Sequence, residues 1–321
     1  MGSDDVDAVL IGRNEGARLV AALESLRGQV RRVVYVDSGS TDGSVAAARA
    51  ACATVVQLDR AMPFTAARGR NAGFAALDDP GLVLFIDGDC TLEPGFVDAA
   101  RAHLSRHPRI GLVTGWRSEV APHASLYNRL CDWEWHRPAG PIRSCGGDNL
   151  VRASAWRAVN GQRPDLIAGE DEEFCLRLSQ AGWGLERLPL AMTRHDAAMT
   201  RFGQWWARAV RAGHAFAQMG TLHPHHWRAE RRRVWLYAVA LPLAIVALLF
   251  VAPAWLALLA LAYPVSLIRT ARGLARDGID GAVRWRLAAL LVLSKLPNLV
   301  GMATYWSRRL RGHAMTLIEY K

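Results

Sequence analysis

Short apolar runs alternate with amphipathic stretches along the first third of the chain. Five apolar runs predict β-strands, at residues 6–11, 33–36, 54–58, 82–86 and 110–114. Amphipathic stretches, two of them further along the chain, predict α-helices at residues 17–27, 44–52, 66–77, 95–105, 153–159 and 171–181. Strands that alternate with helices over short links are typical of a mostly parallel sheet covered by helices. We therefore predict a Rossmann-like α/β fold.

The pattern changes in the last third of the chain, where no charged residue occurs from position 234 to position 268. A helix rises about 1.5 Å per residue, so roughly 18 residues of this run would cross the apolar core of a bilayer. Pro253 divides the run. We therefore predict two membrane helices that are joined by a turn at this proline.

A second apolar run, at residues 287–304, is interrupted by Pro297. Basic residues flank it on both sides, and a single crossing would export one of the two clusters. We therefore predict a bent interfacial or re-entrant segment that is broken near Pro297. The domain prediction is an α/β domain over residues 1–220 and a membrane-associated helical region over residues 221–321.

The formal net charge of +10 comes mainly from arginines, several of which lie beside the apolar runs. Basic clusters in such positions favour an anionic membrane surface over nucleic acid, and no zinc-finger spacing argues otherwise. Positive charge near short apolar segments stays on the cytoplasmic side. The sequence therefore predicts a protein of the inner membrane with its α/β domain in the cytoplasm. The five cysteines form no C-x-x-C pair, which fits a reducing compartment.

Polar clusters follow three of the predicted strands, with GRNEG at 12–16, DSGSTDGS at 37–44 and DGDC at 87–90. In open α/β sheets, ligands bind beyond the carboxyl ends of the strands. No G-x-G-x-x-G fingerprint is present, so a phosphate bound there would need a counter-ion other than a glycine-rich loop. Asp87 and Asp89 offer the hard oxygen ligands that suit Mg²⁺ or Mn²⁺. The alternative is a turn that aspartate side chains close.

Four stretches resemble, in order, the motifs of family-2 glycosyltransferases of the GT-A fold. They are VVYVDSGSTDGS, RNAGFAAL, LFIDGDCTLEPGF and GEDEEFCLRLSQAGW. The resemblance covers residues 6–215, and the order of four motifs is more specific than any one of them. It implies inverting transfer of a sugar from a nucleotide-diphosphate sugar, with assistance from Mn²⁺ or Mg²⁺.

The resemblance also implies which residues contact the nucleotide. Asp37 matches the aspartate that reads the base, and Asp42 matches a second polar contact near the nucleoside. Glu15 takes the acidic position after the first strand, near the base. Arg68 and Asn71 match the start of the helix that approaches the nucleotide.

The same resemblance implies a metal site. Asp87 matches the aspartate on the ribose side and Asp89 matches the metal ligand, with Asp87 and His195 as further candidate ligands. A neutral imidazole is a good ligand for Mn²⁺. A lone histidine is more often structural, so both interpretations of His195 stay open.

The resemblance places the reacting groups in two further motifs. Gly146, Gly147 and Asp148 match the loop beneath the donor sugar. Asp171 matches the catalytic base, with Glu170 beside it. A carboxylate is needed there because the acceptor hydroxyl must lose its proton as it attacks the anomeric carbon. The alternative is an acidic first helical turn, which the helix dipole stabilises.

The acceptor is predicted to be a lipid-linked or envelope glycan, because a membrane anchor is useful when the acceptor lies in the bilayer. A processive polysaccharide synthase is one alternative. The Q-x-x-R-W motif of such enzymes is not intact, because the arginine after Gln204 is Arg208, one position later than the motif requires. A nucleotidyltransferase on a similar fold and a catalytically inactive membrane scaffold are further alternatives. All the acidic motifs are present in the sequence, which argues against a catalytically inactive scaffold.

Overall fold

The structure is a computed structural model that describes residues 5–51, 53–251, 255 and 259–319. The chain divides into two compact units, which are described separately. The first contains residues 1–122 and 131–198, and the second contains residues 123–130 and 199–321.

The described residues of the first unit contain one nine-stranded sheet. Its strands are β1 (Val6–Gly12), β2 (Arg32–Asp37), β3 (Thr54–Gln57), β4 (Leu82–Asp87), β5 (Cys90–Leu92), β6 (Ile110–Glu119), β7 (Gly140–Pro141), β8 (Asn149–Arg152) and β9 (Gly184–His195). Their order is β3-β2-β1-β4-β8-β6-β9-β5, and β7 pairs with β9.

The sheet confirms the Rossmann-like prediction. Strands β1 to β4 are parallel, as predicted, and β6 runs parallel to β9. Strand β8 runs antiparallel to both β4 and β6, and β5 and β7 run antiparallel to β9. The second half of the sheet is therefore mixed. Pattern alone could not show this, because these later strands are set by pairing between distant segments.

Helices cover both faces of this sheet. They are α1 (Ala17–Ser25), α2 (Ser44–Ala50), α3 (Ala66–Ala75), α4 (Phe96–Arg106), α6 (Ala153–Ala158) and α7 (Glu170–Gln180), whereas α5 (Leu126–Trp135) crosses the division between the units. Strand β4 shows why two layers are needed. Leu84 and Ile86 enter one apolar cluster, and Val83 and Phe85 enter the other.

The second unit is helical in its described residues. Its helices are α8 (Phe202–Leu222), α9 (Arg228–Trp235), α10 (Leu241–Val251), α11 (Ala262–Arg276), α12 (Gly281–Leu293) and α13 (Lys295–Leu310), and a π-helical turn (Leu236–Ala240) links α9 to α10.

Helix α8 belongs to the second unit, and the predicted domain boundary at residue 220 stays a prediction. Helix α8 packs tightly against α13. A Cβ atom on Gly213 would lie 2.0 Å from the Asn298 carbonyl oxygen, and one on Gly301 would lie 1.9 Å from the Val210 carbonyl oxygen. Two glycines therefore let these backbones approach each other.

Among the described residues, two helices are long and apolar enough to cross a membrane by length and composition, Arg228–Phe250 and Gly281–Leu310. Pro253, the predicted turn, lies outside the described residues, so the two-helix hairpin stays a prediction. The Tyr263 hydroxyl donates to the Tyr237 carbonyl at 2.8 Å.

Regular helix is interrupted at Ser294, between α12 and α13, three residues before the proline at which the sequence analysis placed a break. A proline has no N–H to donate to the carbonyl four residues earlier. For Pro297 that carbonyl belongs to Leu293, so the irregular position lies where the missing hydrogen bond would have been. The interfacial placement of this segment stays a prediction.

Candidate active site

The carboxyl ends of three parallel strands bring the predicted polar clusters to one edge of the sheet. Gly12 of β1 is in register with Asp37 of β2, and Ile11 of β1 is in register with Asp87 of β4. The Gly88 N–H donates to the Ile11 carbonyl at 2.8 Å. The turn after β4 therefore lies directly against the end of β1.

Asp37 is buried and already holds its own turn. Its Oδ2 accepts from the N–H groups of Gly39 and Ser40, both at 3.0 Å. The Tyr35 hydroxyl donates to its Oδ1 at 3.3 Å. A carboxylate has about four acceptor positions, so Asp37 retains capacity for a ligand. Its contact with the base stays a prediction.

Asp42 and Glu15 also have local partners. The Ser44 N–H donates to Asp42 Oδ1 at 2.9 Å, at the start of α2. Hydrogen bonds from the Ser44 hydroxyl and N–H lower the pKa of Asp42. Glu15 lies 2.8 Å from the Arg18 guanidinium. The nucleoside contacts of both residues remain predictions.

Arg68 and Asn71 fasten neighbouring loops. The Arg68 guanidinium donates to the carbonyls of Met62 at 2.9 Å and Pro63 at 2.7 Å. The Asn71 amide donates to the Gln162 carbonyl at 2.7 Å and accepts from the Gln162 N–H at 3.0 Å. Their predicted approach to the nucleotide is untested, and these bonds give both a role in positioning.

Arg70, which the sequence analysis did not single out, links the two acidic motifs. Its Nη2 donates to Asp87 Oδ1 and its Nη1 donates to Asp171 Oδ1, both at 2.9 Å. Nη1 also lies 3.4 Å from Glu170 Oε1. The residue is only 2% exposed. Burial alone would lower the pKa of Arg70, but Asp171 and Asp87 raise it, so the guanidinium stays charged.

The sequence did carry a signal for Arg70. On α3, Ala67, Arg70 and Gly73 recur at intervals of three and are all buried. They therefore share the helix face that is turned away from solvent. Arginine is almost never fully buried unless it is paired. A cation on the apolar face of a predicted helix therefore indicates carboxylate partners.

Arg117 is a second residue that sequence reasoning missed. Strand β6 extends beyond the predicted strand 110–114 and carries this side chain to the site. Arg117 lies 3.2 Å from Asp87 Oδ2, and its Nε donates to Asp148 Oδ2 at 2.8 Å. The Thr193 hydroxyl donates to the same Asp148 oxygen at 2.6 Å. Asp148 is therefore buried among side-chain donors, and its predicted contact with the donor sugar is untested.

The two glycines beside Asp148 differ in what surrounds them. A Cβ on Gly147 would lie 2.0 Å from Arg70 Nη2 and 3.2 Å from Asp87 Oδ1, so this position requires glycine. A Cβ on Gly146 would meet no atom within 4 Å. Gly147 thus lets the loop pass close to the ion pair, whereas Gly146 faces open space.

Asp89 and His195 meet because β5 pairs with β9, where Cys90 is opposite His195. His195 Nε2 lies 3.2 Å from Asp89 Oδ2, and both side chains are at least nine-tenths buried. His195 Nδ1 is buried and has no hydrogen-bond partner among the described residues. A carboxylate oxygen and an imidazole nitrogen fit Mn²⁺.

Cys90 and Asp87 fit a metal less well. The Cys90 sulfur lies within 4.8 Å of the Asp89 and His195 ligand atoms, but burial raises the pKa of the thiol well above its usual value. A protonated thiol is a poor ligand, since the thiolate is the form that binds metal. Both oxygens of Asp87 instead face Arg70 and Arg117.

Asp171 lies in the first turn of α7, after Gly169 in the left-handed conformation (φ 80°). Its Oδ1 accepts from Arg70 at 2.9 Å and from the Gln162 amide at 3.0 Å. Burial raises the pKa of Asp171 to about 7, although Arg70 acts in the opposite direction. A carboxylate with this pKa can take up a proton near neutrality. Its neighbour Glu170 is 6% exposed.

Comparison with known sequences finds a matching family profile and curated relatives. Residues 7–144 match the profile described as Glycosyl transferase family 2. Over 235 residues the chain is 29% identical to a pre-mycofactocin glycosyltransferase of Mycobacterium tuberculosis. The alignment covers 68% of this chain and 48% of that protein. The chain thus spans about half the length of the curated relatives it matches.

Comparison with solved structures shows the fold. The mannosyltransferase PcManGT from Pyrobaculum calidifontis, solved in complex with GDP-Man and Mn²⁺, has a TM-score of 0.59 at 16% identity, over 93% of this chain and 86% of that one. The glucosyl-3-phosphoglycerate synthase from Mycobacterium tuberculosis, solved with Mn²⁺, UDP and glucosyl-3-phosphoglycerate, has a TM-score of 0.50 at 19% identity, over 68% and 79%.

Proposed function

We propose that the chain is a family-2 glycosyltransferase of the GT-A fold and that it is an inverting, metal-dependent enzyme. Its donor is a nucleotide-diphosphate sugar, and its acceptor is a lipid-linked or envelope glycan. Transfer takes place at the edge of the sheet where β1, β2 and β4 end.

The observation that carries the proposal is that Asp171 and Asp87 both form ion pairs with one buried guanidinium, that of Arg70. Asp171, with a pKa of about 7, is suited to act as the base. The acceptor oxygen attacks the anomeric carbon while its proton passes to Asp171. The bond to the diphosphate oxygen breaks, and its electron pair leaves with the diphosphate. Attack from the face opposite the leaving group inverts the anomeric carbon.

Asp89 and His195 would hold the metal, which would supply positive charge to the leaving diphosphate. The fit rests on the donor set, a carboxylate oxygen and the imidazole Nε2 that face each other at 3.2 Å on side chains at least nine-tenths buried. Arg70 and Arg117 hold Asp87 beside this pair. The Mn²⁺ and nucleotides bound in the two structural relatives support this assignment.

Chelation is expected to stop turnover, and added Mn²⁺ or Mg²⁺ is expected to restore it. Asp89→Ala should weaken metal-dependent binding of the nucleoside diphosphate by at least about tenfold, because even outer-shell partners of a metal typically change its affinity by that much. Titration calorimetry with and without metal measures this. The matched control is Asp98→Ala, an exposed aspartate of α4. Turnover that survives exhaustive chelation would remove the metal from the mechanism.

The membrane part of the proposal rests on the two apolar helices and on the basic residues around them. We expect the catalytic domain and the C-terminal end to lie on the same, cytoplasmic side of the inner membrane. A reporter that is active only in the cytoplasm, fused after the last residue of the chain, should therefore be active. A reporter active only outside the membrane would show that 287–304 crosses the bilayer.

A donor panel tests the activity itself. Membranes that contain the protein are incubated with radiolabelled nucleotide sugars that differ in base and in sugar. We expect metal-dependent release of nucleoside diphosphate from one donor, together with label in a lipid or glycan fraction. Membranes without the protein provide the background. If no member of the panel is consumed above that background, the proposed function is wrong.

A further inference from the structure

A cavity of about 250 Å³ opens in the first unit beside the candidate active site. Strands β6 and β9, the end of α5 and the loop before β8 line it. Its wall contains the side chains of Arg117, Arg137 and Arg187. Two carboxylates, Glu134 and Asp148, also contribute to the lining. The three arginines differ in whether a carboxylate forms an ion pair with them.

Arg117 is balanced, because it pairs with Asp148 and Asp87. Arg187 has no such balance. It is 9% exposed, and no carboxylate forms an ion pair with it in the described part of the chain. Its Nη1 donates to the Pro138 carbonyl at 3.3 Å, and its Nε is buried without a hydrogen-bond partner among the described residues.

A buried guanidinium without a carboxylate is unfavourable, because burial removes it from water. Burial lowers the pKa of Arg187, and the nearby charge of Arg137 lowers it further, although Cys145 acts in the opposite direction. By contrast, Arg177 is matched by Glu173 at 2.7 Å. Arg187 therefore has the features of a cation whose partner is a bound anion.

The position of the cavity indicates that the anion is part of a substrate of the candidate active site. Arg117 lines the cavity and also lies 3.2 Å from Asp87 of the candidate active site. Trp135, another lining residue, lies with its ring 5.5 Å from Arg117 Cζ and meets the His195 ring edge-on at 4.7 Å between centroids. A group held in the cavity would thus lie beside the candidate metal ligands. It is therefore close enough to the candidate active site to be part of a bound substrate.

We propose that this cavity binds an anionic group of a substrate, a carboxylate or a phosphate, with Arg187 as its buried charge partner and the exposed Arg137 at its entrance. The inference rests on the proposed glycosyl transfer and adds a chemical class to it. The anion belongs either to the acceptor or to the sugar of the donor. Both sources share the same recognition chemistry, a charge-assisted hydrogen bond from a guanidinium.

Inorganic phosphate is the probe. The protein is first saturated with Mg²⁺ and with the nucleoside diphosphate that the donor panel selects, so that the diphosphate position is filled, and phosphate is then titrated by calorimetry. We expect saturable binding to wild type and at least tenfold weaker binding to Arg187→Gln. Arg187→Lys, which keeps the charge but loses the planar fork, should fall between them.

The matched control is Arg106→Gln, which removes an exposed charge of α4 and should leave phosphate binding unchanged. Nucleoside diphosphate affinity, measured in the same titration, reports folding of each variant. If Arg187→Gln does not fold, Arg137→Gln and Arg187→Lys carry the test. Equal phosphate affinity in wild type and in the folded variants overturns the inference while the proposed function stands. Failure of the nucleoside diphosphate to bind overturns both.

A competition experiment separates the two sources. Two donors with the selected base are compared, one with a neutral hexose and one with a hexuronate. If the anion belongs to the donor sugar, the hexuronate donor should displace phosphate and the hexose donor should not. If it belongs to the acceptor, phosphate should bind alongside both donors. Displacement by both donors alike would contradict the assignment, because the probe would then occupy the ordinary donor site.

Discussion

Replacing Asp171 with asparagine is expected to lower kcat by about 10²–10⁴-fold, the range that a general base contributes. Asparagine cannot take up the proton of the attacking hydroxyl. The diphosphate is proposed to bind the metal that Asp89 and His195 would hold, away from Asp171. The affinity for nucleoside diphosphate should therefore stay within about threefold of wild type, as expected when only a transition-state interaction is lost.

Single-turnover kinetics and calorimetry measure the two quantities separately. Glu172→Gln is the matched control, because it removes a negative charge from the same first turn of α7. Near-normal kcat in Asp171→Asn would remove this carboxylate from the mechanism. So would an equal loss in both variants, which would indicate an effect of charge on the helix terminus.

The pH profile gives a second signature of the same group. The pKa of Asp171 is raised to about 7, so the base is protonated and inactive below that pH. We expect kcat/KM of wild type to rise through about pH 7 and to level off above it. The residual activity of Asp171→Asn should lack this rise. A wild-type profile that is flat between pH 5 and 8 would contradict the assignment.

Arg70→Gln is expected to have the largest effect on stability. It leaves Asp87, Asp171 and Glu170 without the cation that they share. Breaking a buried ion pair by removal of one partner costs about 3–5 kcal/mol in free energy of unfolding. Turnover should be lost as well, because Asp171 and Asp87 are no longer held in place by one guanidinium.

Denaturant unfolding measures the stability. The matched control, Arg101→Gln, breaks an exposed pair with Asp98 and should cost less than about 1 kcal/mol. Arg70→Lys keeps the charge without the fork that spans two carboxylates, so it should be more stable than Arg70→Gln but remain slow. Rapid turnover in Arg70→Lys would show that bridging by the guanidinium is not needed.

Local pattern predicted much of this molecule. The strands β1 to β4 and the helices between them lie within a few residues of their predicted bounds, because apolar runs and short links specify them locally. The grouping of Asp37 with Asp87 followed from the same reasoning, since parallel strands end at one edge. These features need no knowledge of distant contacts.

The rest depends on pairing between distant segments. His195 faces Asp89 only because β9 is a long strand that pairs antiparallel with the short β5 after the D-x-D turn. Antiparallel β8, between β4 and β6, likewise sets the neighbours of Asp148. The hydrophobic pattern does not predict β5 or β8, because both strands are too short to show an alternation. The resemblance to a family, not periodicity, brought His195 and Asp148 into consideration.

In the proposed reaction, the base and the leaving diphosphate lie on opposite sides of the sugar in a single displacement. NMR of the transfer product tests this through the one-bond carbon–proton coupling at the anomeric carbon of the transferred sugar. We predict that a donor with an α-linked diphosphate gives a β-linked product, so that the configuration is inverted. A product that retains the α configuration would contradict the account, because Asp171 could then not act as the base of one direct displacement.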